Sequence, residues 1–143
     1  KIKEGYKKEF ILYGCSTIRN ELRKTPKNII LGKKKAQIML LEIYDSFILK
    51  DNHNLKYNKL VEDLVTDYIR EYKGSKGNLS EDSIKNDFTI IATATIYQLD
   101  IVVSGDKRSM LSEKAIKSYE KVNSEYGLAN PKWRQYEDFK KEL

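Results

Sequence analysis

Ile101-Val102-Val103 constrains the fold more than any other stretch of the chain. It is a continuous, β-branched apolar run, bounded by Asp100 on one side and Ser104-Gly105-Asp106 on the other. Such a run suits a short strand buried on both faces, as in a parallel sheet. Helical patterns flank it. Ser80 opens a helix whose apolar stripe runs through Ile84, Phe88, Ile91 and Thr95 towards Gln98. Ser112 starts another that continues to about Tyr126, where Gly127 supplies the C-cap. A buried strand between helices predicts an α/β fold: one domain with a small parallel sheet flanked by helices.

The rest of the chain fills in that outline. Phe10–Tyr13 is a second apolar, β-leaning run and reads as a strand. Ser16 then caps a helix to about Lys24, stopped by Thr25-Pro26. Beyond Gly32, Ile38, Leu41, Tyr44, Ile48 and Leu49 keep helical spacing, and residues 51–54 form a loop. Between Leu55 and Tyr72, Leu60, Leu64, Tyr68 and Tyr72 recur every four residues, so a second amphipathic helix follows. A short element around Trp133 and a last helix from about Tyr136 close the chain. Two clear strands are too few for a stable sheet, so a further strand is expected.

Composition removes several function classes. At 143 residues the chain fits one domain. A single cysteine, Cys15, excludes an internal disulfide framework and multi-cysteine metal clusters. One histidine, His53, argues against paired-histidine zinc sites and serine–histidine–aspartate catalysis. No apolar run approaches the ~20 residues of a membrane span, so a soluble, cytoplasmic protein without membrane partners is expected. The net charge of +6 is unevenly spread: residues 1–50 hold twelve bases against five acids. The excess gathers around Lys24, Lys27 and Lys33-Lys34-Lys35. A patch of this kind can meet a phosphate backbone, and its plainer reading is a solvated face.

Three acids sit where solvation does not explain them. Glu21 follows Ile18 by three residues and borders the apolar face of its helix. Asp87 lies between Ile84 and Ile91, within the stripe expected to be buried. Asp106 stands just past the carboxyl end of the Ile101–Val103 strand, where ligands bind in open parallel sheets. Inward carboxylates are costly unless paired or metal-bound, and acids without histidine or thiolate select Mg2+ or Mn2+. The plainer reading of Asp87 is a cap or a pair with Lys85.

Together, Glu21, the segment from Asn86-Asp87 to Ala94, and Asp100-Ile-Val-Val-Ser-Gly-Asp106 resemble the PIN-domain ribonucleases. The resemblance covers nearly the whole chain and is strongest over residues 80–126. It implies a PIN-like three-layer domain in which Glu21, Asp87 and Asp106 are catalytic metal-site acids and Ser104 braces the site. It also implies that Mg2+ or Mn2+ is the cofactor and RNA the substrate, with Lys24, Lys33, Lys34, Lys35 and Arg108 as candidate RNA contacts. Many family members are toxins held inactive by a small antitoxin, while others process RNA. An antitoxin and a second copy of the chain are therefore candidate partners.

The family opens with a central strand ending in Asp, and nothing in Lys1–Phe10 matches it. Lys1–Lys8 reads instead as the tail of a first helix, so the resemblance implies that the domain is incomplete at its N-terminal side. The alternative function is a non-catalytic RNA- or protein-binding module on the same fold. A basic helical binding protein without a sheet is a third reading, against which the Ile101–Val103 run argues.

Overall fold

A computed structural model describes residues 11–49 and 52–141. Lys1–Lys8, expected to be helical, and Phe10 lie outside the described residues. The chain is a mixed α/β protein in which helices dominate and the strands are short.

The core is built by three helices: α3 (Lys59–Gly74), α4 (Glu81–Ile96) and α5 (Glu113–Tyr126). Each has a side-chain N-cap, from Asn58, Ser80 and Ser112 respectively. Gly127, in the left-handed region at φ 71°, ends α5. Facing stripes meet between them: Val61, Leu64, Tyr68 and Tyr72 from α3, Ile84, Phe88 and Ile91 from α4, Ala115, Tyr119 and Val122 from α5. Phe88 meets Tyr68, Tyr72 and Tyr119 edge-on, with ring centroids 5.1–6.3 Å apart. The buried polar groups are matched as well. The Tyr68 hydroxyl donates to Asn123 Oδ1 (2.6 Å), and Asn123 Nδ2 donates to Asn130 Oδ1 (2.8 Å). Leu60, at the start of the expected stripe, is 61% exposed; Val61 is buried instead.

The strands form three separate pairs among the described residues. β1 (Gly14–Cys15) runs parallel to β4 (Asn54–Leu55). β2 (Ile30–Leu31) and β3 (Lys34–Lys35) make an antiparallel hairpin. β5 (Ile101–Ser104) runs parallel to β6 (Lys132–Gln135), the element around Trp133. Short parallel pairs exclude the helical reading without a sheet. The helix α6 (Tyr136–Lys140) follows β6.

Several sequence expectations shift here. The first strand lies at Gly14–Cys15, not at Phe10–Tyr13; Ile11 and Leu12 are exposed. Gly14 explains the shift. A side chain there would meet the Tyr44 ring at 2.5–2.9 Å, so only glycine lets the strand lie beneath that tyrosine. The Tyr44 hydroxyl donates to the Cys15 carbonyl at 2.9 Å. The helix α1 (Ser16–Arg23) begins after Cys15 with no side-chain cap, so Ser16 does not cap it.

Residues 30–35 form the hairpin rather than the approach to a helix, because Gly32 at φ 65° permits a tight turn. Helix α2 (Ala36–Tyr44) continues into a π-helical turn over Asp45–Leu49. Of its expected stripe only Tyr44 is buried: Ile38 and Leu49 are exposed and Leu41 and Ile48 are half-buried, while Ile43 and Phe47 also stand exposed. Asn54, expected in a loop, belongs to β4. Finally, β5 is not buried on both faces. Val102 is buried and Val103, on the opposite face, is 37% exposed, so only one face of the strand is covered.

Candidate functional site

The loop after β5 turns sharply, and Asp106 holds the turn. Its Oδ1 accepts the backbone N–H groups of Arg108 and Ser109, each at 2.9 Å. The Asp106 N–H in turn donates to Ser104 Oγ at 3.0 Å, so the strand-end serine fixes the residue two positions on. Leu111 N–H donates to the Asp106 carbonyl, and Tyr119 donates to the Met110 carbonyl, seating the loop on α5.

The other carboxylate oxygen of Asp106 faces α4. There Ser109 Oγ contacts Asp106 Oδ2 and also lies 2.5 Å from Asp87 Oδ2. A hydroxyl carries one proton and donates to one acceptor at a time. The second carboxylate contact is therefore satisfied only if a carboxyl holds a proton or a cation balances the pair. The donor set is all oxygen, which suits a hard cation.

Electrostatics separates the two acids. Burial raises the Asp87 pKa; the Ser109 hydrogen bond opposes this and the Asp106 charge adds to it. Burial also pushes Asp106 upwards, but the Ser109 hydroxyl, the two backbone N–H groups and the Arg108 charge outweigh it, leaving its pKa lowered. Asp87 is only half-buried, at the edge of the α4 stripe rather than within it.

Glu21 lies on α1 at the surface, with its pKa raised first by desolvation and then by the charge of Asp87. It thus shares an electrostatic environment with Asp87 without joining the Ser109 hydrogen bonds. Among the described residues, no group of three acids, histidines or cysteines is close enough to hold a metal ion between them. The directly joined acids are Asp87 and Asp106.

Basic groups lie nearby. An open hollow of about 430 Å3 is lined by Thr17, Asn20, Arg23 and Lys24 of the α1 region and by Asn86 of α4. Arg108 is exposed in the turn that Asp106 caps. Lys33, Lys34 and Lys35 are exposed on the β2–β3 hairpin, and Lys34 pairs with Glu42 at 3.3 Å. The Gln37 amide donates to the Arg23 carbonyl, tying the start of α2, just after these lysines, to the end of α1.

Ser109 is the residue that sequence reasoning missed. Its only signal was position: three residues after Asp106, where a turn brings a hydroxyl back onto the acid.

No helix among the described residues is long and apolar enough to cross a membrane. Compared with protein-family models, characterised proteins and solved structures, the chain matches none of them.

Proposed function

We propose that the chain is a Mg2+- or Mn2+-dependent endoribonuclease with a PIN-like fold. The observation that carries this reading is the Ser109 hydroxyl held between Asp87 and Asp106 at the carboxyl end of β5. A paired, partly desolvated set of oxygens at that edge of a parallel strand is suited to a hard cation.

Asp87 and Asp106 would hold the metal, and Glu21 would add negative charge to their surroundings without ligating it. A bound Mg2+ or Mn2+ would orient and acidify an attacking water and neutralise charge on phosphodiester oxygens. The chain's own residues provide the setting. Ser104 and the Arg108 and Ser109 N–H groups fix the Asp106 carboxylate. Lys24 and Arg108 place positive charge beside the acids, and Lys33–Lys35 extend it for a longer RNA strand. The exposed apolar side chains of α2 fit a protein partner, either an antitoxin-type inhibitor or a second copy of the chain.

The test is cleavage of tRNA and of unstructured oligomers with fresh Mn2+. The protein should cut RNA, chelation should stop it, and Asp87→Asn should abolish cleavage while leaving the fold intact. Replacing Lys33, Lys34 and Lys35 by alanine should weaken RNA binding and reduce its salt slope by about two to three, without changing the single-turnover rate at saturation. Salt-dependent RNA binding with no cleavage would favour the non-catalytic binding module instead.

A further inference from the structure

Asn20 of α1 and Asn86 of α4 each stand one residue before an acid of the site, Glu21 and Asp87. The two helices lie against each other, and both amides line the open hollow of about 430 Å3. That volume falls within the range of small-ligand sites, about 300–1,000 Å3. Thr17, Asn20 and Lys24 follow at steps of three and four residues, so one face of α1 and its C-cap form this wall, with Arg23 beside them. Among the described residues the lining holds no acid and no apolar side chain, and neither amide makes a hydrogen bond.

The chemistry of the hollow splits in two. Arg23 and Lys24 carry positive charge for a phosphate, which every nucleotide presents. An amide instead offers a donor and an acceptor side by side, the pattern that matches a base edge. In a single strand both the pairing edge and the Hoogsteen edge of a base are open. One amide can match the pairing edge of any base, so alone it does not discriminate. Two amides from two helices do. Adenine N6 carries two hydrogens and is flanked by acceptors at N1 and N7, so each amide can accept from N6 and donate to one ring nitrogen. No other RNA base places a donor between two acceptors.

We propose that the hollow is an adenine subsite beside the scissile phosphate, in which Asn20 and Asn86 read the base while Arg23 and Lys24 hold its phosphate. The proposal rests on RNA being the substrate, and it adds the nucleotide that the chain selects. Because Asn86 adjoins Asp87 in α4, the selected adenosine neighbours the bond that is cut.

Binding measured without metal separates this subsite from the catalytic reading. Fluorescence anisotropy with short labelled oligoadenylate, oligocytidylate and oligouridylate in EDTA provides it. Oligoadenylate should bind at least about fivefold more tightly than the other two. The double variant Asn20→Ala with Asn86→Ala should bring oligoadenylate down to their level. Arg23→Ala with Lys24→Ala should weaken all three alike and lower the salt slope by about one to two. All four side chains are exposed, and circular dichroism checks that the variants keep the fold. With Mn2+, cuts in a mixed-sequence RNA should fall beside adenosines and scatter in the Asn20→Ala, Asn86→Ala protein. No adenine preference in the wild type, or a preference that survives in that double variant, would overturn the subsite whether or not RNA is cut. Adenine-selective binding that needs both amides but comes without cleavage would keep the subsite and sink the ribonuclease.

Discussion

The α3–α4–α5 core and the arm of α1, the β2–β3 hairpin and α2 are both rich in apolar residues, yet the core buries most of its own and the arm little beyond Ala36 and Tyr44. Phe88, Tyr68 and Tyr119 are fully enclosed, whereas Phe47, Ile43 and Ile30 of the arm are 54–61% exposed. Hydrophobic content alone does not make a core; facing stripes at matched spacing do. In the core, three capped helices present such stripes to one another. In α2, Met39, Leu40, Leu41 and Ile43 surround the axis, and Tyr44 is the one large side chain that reaches a packed site. Stability should therefore reside in residues 59–126, and the arm should contribute position and contact surface.

Mutations can break that contrast. The largest effect belongs to Phe88→Ala, which removes the ring that three tyrosines pack against. It should cost about 3–5 kcal/mol in urea unfolding, enough to leave much of the protein unfolded. A loss below about 1 kcal/mol would mean that the helices do not share one core. Tyr68→Phe should cost less, about 1–2 kcal/mol, because Asn123 Oδ1 loses its buried donor while packing is kept. Phe47→Ser in the arm should change unfolding by no more than about 0.5 kcal/mol while reducing dye binding or self-association. A large loss there would show that the arm is packed after all.

The smallest stability effect is the pH dependence carried by Asp87. Burial raises its folded pKa above the ordinary 3.8, so the folded chain binds the proton more tightly than the unfolded one. Stability from this group is full below that ordinary value and declines as pH rises through the raised one. Without metal, Asp87→Asn should remove the decline and leave the protein as stable or slightly more stable near neutral pH. Thermal melts of both proteins across the carboxylate range provide the check.

The two regions also differed in how legible they were. The periodicity through Ile84, Phe88, Ile91 and Thr95, with Ser80, Ser112 and Gly127 as caps, marked α4 and α5 because local signals and packing agree there. The arm gave weaker signals. Gly32 read as a break before a helix, but the same glycine turns a hairpin whose strands have two residues each, too short for any period. β4 is equally short, and β1 moved to Gly14 because Tyr44, distant in sequence, lies over it. At the site, Asp87 and Asp106 could be picked out by placement. Ser109 could not, since a serine in a turn is ordinary until the fold sets an α4 carboxylate beside it.

Asp87 and Asp106 are proposed as the site for a hard cation. Titrating the protein with Mn2+ by calorimetry tests it most directly, with Asp87→Asn and Ser109→Ala alongside. The account predicts saturable binding by the wild type, at least a tenfold loss for Asp87→Asn and a smaller loss for Ser109→Ala. Equal Mn2+ affinity in the wild type and Asp87→Asn, or no binding by either, would contradict it.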